Sequence, residues 1–239
     1  MQVGIKTHVG LIRENNEDAF FAEAPLFAVA DGVGGANAGE IASKEAIDVF
    51  KKAFFSKLRL DEEPERALRF AAEEANRHLF RMAGEQRHLA GMSTTLTAVY
   101  TDKTQAWLLQ VGDSRLYRWR QGVLTQLSED QTLVAKLVAT GKITKAEAKV
   151  HPRKSWLLQA LGAEGEVEPK LQSLTLEPGD KLLLCTDGLS NMLSDGEISE
   201  LLQDRDAQHC ADSLIERALQ NGGRDNVTAV VLTAVCEGI

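Results

Sequence analysis

Four aspartates carry the pattern from which chemistry can be argued in this chain: Asp31, Asp113, Asp187 and Asp225, each beside a run that reads as a strand. Asp31 follows the apolar run Leu26-Phe27-Ala28-Val29-Ala30 and opens Asp31-Gly32-Val33-Gly34-Gly35. Asp187-Gly188 follows Lys181-Leu182-Leu183-Leu184-Cys185, and Asp225-Asn226 sits between Gly222-Gly223 and the last apolar run. One strand ending in Asp-Gly is ordinarily a turn and nothing more. Three such junctions in one chain point to a common use. Glycine permits positive φ and close backbone approach, while carboxylates offer oxygens to a hard cation. Gathered together, these carboxylates would repel and raise one another's pKa unless a cation compensates. The histidines, His8, His78, His88, His151 and His209, are scattered, and Cys185, Cys210 and Cys236 lack metal-ligand spacing. That disfavours zinc, and an oxygen-only donor set points to magnesium or manganese.

The elements that must position these carboxylates follow from the apolar pattern. Residues 2–8 and 19–22 read as strands, separated by a polar loop that carries Arg13, Glu17 and Asp18. Helical periodicity then runs over 38–55, and a second helix starts near Pro64 with Leu68, Ala71, Ala72, Ala75 and Leu79 on one face. Residues 93–100, 106–111 and 115–119 read as strands with connections too short for helical crossovers, hence antiparallel. Residues 128–154 turn polar and helical, with capping-box spacing at Thr144 and Glu147. Strands return at 167–174 and 181–185, a second capping box is spaced at Ser194 and Glu197, and a helix spans 206–220. The nearly continuous apolar run 227–235 reads as a central strand. Two antiparallel sheets packed face to face with helices outside would bury all of these faces. The expected class is therefore α+β.

Composition bounds the rest. The chain has 239 residues and 44% hydrophobic content, enough for one sizeable core. Lys plus Arg is 27 against 35 Asp plus Glu, a formal charge of -8, which argues against a nonspecific nucleic-acid binder. No apolar run has membrane-spanning length, and unpaired cysteines in strand-like runs favour a reduced, cytoplasmic setting.

In this context the ordered motifs resemble the metal-dependent Ser/Thr protein phosphatases of the PP2C (PPM) type, in particular the compact bacterial members. The matching pieces are the loop 10–18, Asp31-Gly32-Val33-Gly34-Gly35, Gly39-Glu40-Ile41-Ala42-Ser43 and Gly91-Met92-Ser93-Thr94-Thr95. They continue with Val111-Gly112-Asp113-Ser114-Arg115, Cys185-Thr186-Asp187-Gly188-Leu189 and Gly223-Arg224-Asp225-Asn226-Val227-Thr228. The resemblance implies a single domain over 1–239, a four-layer αββα fold with a central antiparallel β-sandwich, and 128–154 as a small helical flap. It implies two or three Mn2+ or Mg2+ ions, and hydrolysis of phosphoserine or phosphothreonine by a metal-bridging water or hydroxide.

Residue by residue, the resemblance makes Asp31 the carboxylate bridging two ions. It gives the Gly32 carbonyl to the first ion, Asp187 and Asp225 to the second, and Asp113, helped by Asp187, to a weaker third. Glu17 and Asp18 would hold metal-bound waters. Arg13 would grip the substrate phosphate; without the resemblance, an ion pair with Glu14, Glu17 or Asp18 is an equal reading. Asn226 would brace the loop of Asp225, and Thr94 and Thr95 would lie beneath the site. Three departures stand out: Val33 and Ala36 occupy places where members carry histidine, and Gln131 replaces the usual histidine leading the flap. The expected partners are phosphorylated Ser/Thr proteins, with no nucleic acid and no membrane insertion, and the expected state is a monomer. A metal-dependent phosphodiesterase or nuclease and a non-catalytic phosphoprotein-binding module are the rival readings. The acidic composition disfavours the first, and the presence of Asp31, Asp187 and Asp225 disfavours the second.

Overall fold

The computed structural model describes residues 1–33, 38–204 and 206–234. Gly34, Gly35, Ala36 and Cys236, named above, lie outside the described residues. The chain opens with β1 (Gln2–His8), β2 (Asp18–Glu23) and β3 (Leu26–Val33), followed by the helix pair α1 (Ala38–Leu58) and α2 (Pro64–Glu85). Next come β4 (Ser93–Thr94), β5 (Leu96–Asp102), β6 (Gln105–Val111), β7 (Arg115–Arg120) and β8 (Val123–Gln126). Two short helices, α3 (Leu133–Ala139) and α4 (Lys145–Val150), precede β9 (Lys170–Thr175) and β10 (Lys181–Cys185). Then follow α5 (Asp187–Ser190), α6 (Asp195–Leu201), α7 (Ala207–Gln220) and β11 (Val227–Thr233).

The strands form two antiparallel sheets, ordered β1-β11-β10-β7-β8 and β2-β3-β5-β6-β9, with β4 attached to β3. Strand side chains alternate between faces, so a strand buried on both sides must be apolar at every position. In β3, Leu26, Ala28 and Ala30 face α1 and α2, while Phe27 and Val29 face the other sheet. In β10, Leu183 and Cys185 pack with Ala211 and Leu214 of α7, while Leu182 and Leu184 meet Phe27 and Val29 between the sheets. The result is the four-layer arrangement, helices–sheet–sheet–helices. Truncating a leucine of the middle layer to alanine would cost about 2–5 kcal/mol. Gly4 shows how tightly the outer layer sits: a Cβ there would lie 2.0 Å from the Ala207 carbonyl oxygen at the start of α7.

Three expectations change in detail. The run 93–100 is two strands, because Thr94 exchanges backbone hydrogen bonds with Leu161 and Thr95 turns its amide to the Asp31 carbonyl. The strand expected at 167–174 starts at Lys170. Asp187-Gly188 begins a short helix rather than a simple turn. Both capping boxes are formed, at Thr144–Glu147 and at Ser194–Glu197. Among the described residues, no helix is long and apolar enough to cross a membrane.

Candidate active site

The site is built where strands of both sheets end. Asp18 and Asp31 are register partners across β2 and β3, so their side chains leave the same face of the ladder. Asp31 is fixed through its backbone: its N–H donates to Thr95 Oγ1 at 2.9 Å, and its carbonyl accepts from Thr94 Oγ1 at 2.8 Å. Thr95 Oγ1 in turn lies 2.7 Å from Ser114 Oγ. The adjoining Gly32 is required by close approach, since a Cβ there would stand 2.1 Å from the Gly39 carbonyl oxygen. Its N–H donates to the Glu17 carbonyl at 3.1 Å.

Asp18 reaches across to the second sheet. Its Oδ2 accepts from Thr228 Oγ1 at 2.6 Å and Thr186 Oγ1 at 2.8 Å, while the buried Oδ1 has no protein partner. Burial, reinforced by the charges of Asp187 and Asp225, raises the Asp18 pKa to about 7 against the pull of those two hydrogen bonds. Burial is also the largest cause at Asp31, whose pKa rises well above the usual carboxylate value with the charges of Asp18, Asp187, Asp113 and Asp225 adding to it. Asp187, raised by burial and by the charge of Asp225, accepts from Asn191 Nδ2 at 3.0 Å. Burial with the charges of Asp187 and Asp130 raises Asp113 to about 7, opposed by Arg115. Glu17 is raised by burial and by Asp225 and Glu40, and lowered by Arg13.

Asp225 comes from the loop before β11. Its Oδ1 accepts from the Asn226 N–H at 2.9 Å and its Oδ2 from Arg13 Nη2 at 2.9 Å. Arg13 therefore pairs with Asp225, not with Glu14, Glu17 or Asp18. Asn226 ties the loop to the one carrying Arg13, donating to the carbonyls of Val9 (2.9 Å) and Asn15 (2.8 Å) and accepting from the Glu17 N–H (2.8 Å). A Cβ on Gly188 would lie 1.9 Å from the Asn226 carbonyl oxygen, so the segments of Asp187 and Asp225 meet there without room for a side chain.

Asp113 is held from the insertion. The Gly112 N–H donates to Gln131 Oε1 at 2.8 Å, and the Gln131 N–H returns a bond to the Gly112 carbonyl at 3.1 Å. Arg115 grips Asp130 with two bonds of 2.9 and 2.7 Å, and the Leu158 N–H closes the stem onto the Gln131 carbonyl at 2.7 Å. Val33 stands at the rim, 43% exposed, and brings no titratable group.

The donors fit a hard divalent cation. They are oxygens, they raise one another's pKa, and Asp18 keeps an oxygen that no protein donor serves. Among the described residues, however, no three His, Cys, Asp or Glu side chains form a closed ligand set. Sequence reasoning passed over Thr186 and Thr228 on Asp18, Asn191 on Asp187 and Ser114 under Thr95. The only signal for the threonines was their position beside Asp187 and two residues beyond Asn226.

The protein phosphatase 2C family model matches residues 13–225. The serine/threonine phosphatase stp of Listeria monocytogenes is 40% identical over 240 residues, covering 97% of this chain and 95% of that protein. The crystal structure of the Mycobacterium tuberculosis serine/threonine phosphatase PstP/Ppp superposes with a TM-score of 0.90 at 40% identity, covering 98% of both chains. A structure of the PstP catalytic domain in complex with two manganese ions gives a TM-score of 0.88 at 40% identity, again covering 98% of both chains. With this geometry and these likenesses, the chain belongs to the protein phosphatase 2C family and is a metal-dependent Ser/Thr protein phosphatase of its bacterial branch.

Proposed function

We propose that one catalytic domain over 1–239 releases phosphate from phosphoserine and phosphothreonine in proteins in a single displacement, with 128–154 as its flap. The observation that carries this reading is the gathering of Asp18, Asp113, Asp187 and Asp225 around Asp31, each from a different segment. Asp31, the Gly32 carbonyl, Asp187 and Asp225 would hold two Mn2+ or Mg2+ ions, and Asp113 with Asp187 a weaker third. Glu17 and Asp18 would orient waters on them. When bound, the ions supply a water acidic enough to attack at neutral pH and neutralise charge on the phosphoryl oxygens.

The remaining work falls to the chain itself. Arg13 turns its fork of donors to the phosphate and stabilises the charge that builds there. Thr186 and Thr228 fix the carboxyl of Asp18 through Oδ2, leaving the buried Oδ1 without a protein partner. Asn226 keeps the loops of Arg13 and Asp225 at one spacing while the phosphoryl group transfers. Among the described residues no cysteine is poised as nucleophile: Cys185 and Cys210 are buried, and that burial pushes the Cys185 thiol up to about 12 and raises the Cys210 thiol as well. Val33 offers the leaving alkoxide no proton.

The test is phosphate release from a phosphothreonine protein by the wild type and by Asp31→Asn and Asp225→Asn, with circular dichroism as the check on folding. The reading expects both variants to lose most turnover with the fold kept. Full activity in either would remove that aspartate from the site.

A further inference from the structure

Residues 133–155 differ in charge from the rest of the chain. Lys136, Lys142, Lys145, Lys149, Arg153 and Lys154 stand against one carboxylate, Glu147, so this segment carries +5; the whole chain carries -8, which leaves -13 on the remainder. All six cations are exposed. Glu147 offsets one of them and pairs with none, since its Oε2 accepts from the Thr144 N–H at 2.7 Å and the Thr144 hydroxyl at 2.9 Å in the capping box. Among the described residues, none of the six enters an ion pair.

Folding does not explain the cluster. α4 buries none of its residues and α3 buries only Val134, so these helices add little to the core. Lys145 and Lys149 are four apart on one helix, a like-charge spacing that disfavours the helix. The Arg153 guanidinium lies 4.3 Å over the Trp156 ring, which is itself 55% exposed. Stacking of this kind holds the planar group while leaving its donor edge open to a carboxylate. The face is also wired to the chemistry. Its stem bonds Gly112 beside Asp113, and Leu161, in the segment leaving it, exchanges backbone bonds with Thr94, whose hydroxyl holds the Asp31 carbonyl.

We infer that this basic face recognises acidic residues flanking the phosphorylated side chain of a protein substrate. The inference rests on the phosphatase reading above and adds to it a substrate class. Opposite charge across a partly exposed interface raises the rate of encounter and selects partners, and it weakens with salt. A long polyanion is disfavoured as the occupant, because the rest of the chain carries a net -13 and would repel one that extended beyond the segment.

The experiment uses three phosphothreonine peptides, with acidic, neutral or basic flanks, beside an aryl phosphate, all with Mn2+. The proteins are the wild type, Lys142→Ala/Lys145→Ala/Lys149→Ala, and the same three positions changed to Glu. The wild type is expected to favour the acidic peptide by about tenfold in kcat/KM, mainly through KM, and to lose that preference at high salt. The alanine variant should level the three peptides and the glutamate variant should favour the basic one, with the aryl phosphate changed by less than about twofold in both. Equal kcat/KM of the wild type on all three peptides would overturn the inference. So would a loss on aryl phosphate equal to the loss on peptide, which places the damage at the active site. Salt-sensitive binding of an oligonucleotide or an anionic vesicle, with the peptides ranked equal, would assign the face to that partner instead. No release from any substrate, aryl phosphate included, would strike at the phosphatase reading itself.

Discussion

Arg13 Nη2 lies 2.9 Å from Asp225 Oδ2, although 212 residues separate the two in sequence. The side chains are 48% and 38% exposed, and an ion pair in such a setting contributes only about 0–1 kcal/mol. A phosphate dianion, offering two oxygens to the same fork, can take Arg13 from Asp225 at little cost.

Arg13→Ala is therefore expected to lower kcat/KM on a phosphothreonine peptide by about 10²-fold, the size seen when one donor to a developing oxyanion is removed. Arg13→Lys should recover part of this, because it restores charge but not the two-pronged geometry. The thermal midpoint should hardly move. Steady-state kinetics decide the matter: wild-type constants in Arg13→Ala would reduce the residue to a structural partner of Asp225.

The raised carboxyls give a pH dependence of stability with a definite sign. Asp18 and Asp113 hold their protons to about 7 in the fold, against an ordinary value of 3.8. Between those values the native state binds more protons than the unfolded chain, so stability falls as pH rises. The contribution is full below the ordinary value and is lost as pH climbs through about 7. Thermal unfolding of chelator-treated protein should show a midpoint that drops from about pH 5 to about pH 8, and added Mn2+ should flatten the drop by compensating the charges. A chelated protein whose carboxyl-dependent stability rises over this interval would contradict the crowding around Asp31.

Much of this site was legible from the residues alone, for a physical reason. Asp31 and Asp187 each follow an apolar strand and precede glycine, and backbone geometry is a local property. The continuous apolar runs of β3 and β10 likewise marked buried strands, whereas which residues face helices and which face the other sheet emerges only from the packing. What stayed hidden depends on register between distant strands. Asp18 meets Thr186 and Thr228 only because β2 and the β10–β11 pair end at one level, which no local pattern encodes. The same holds for Arg13 with Asp225, where loop polarity suggested nearer acids. Gln131 was noticed as a departure, but its bond to the Gly112 N–H needs the folded stem.

That bond carries its own prediction. Gln131→Met keeps the volume but removes the acceptor from a buried N–H, at a cost of about 1–3 kcal/mol. Hydrogen exchange at the Gly112 amide should speed up, and the Asp113 turn should loosen with it. Phosphopeptide hydrolysis should suffer more than the thermal midpoint. Unchanged protection at Gly112 would show that Gln131 does not hold this turn.

The most direct measurement is phosphate release from a phosphothreonine protein by chelator-treated enzyme, before and after Mn2+ or Mg2+ is returned. The carboxylates around Asp31 predict silence without metal and recovery with it, because water near those charges lacks both an activator and compensation for the phosphoryl oxygens. Undiminished release from demonstrably metal-free protein would contradict the account.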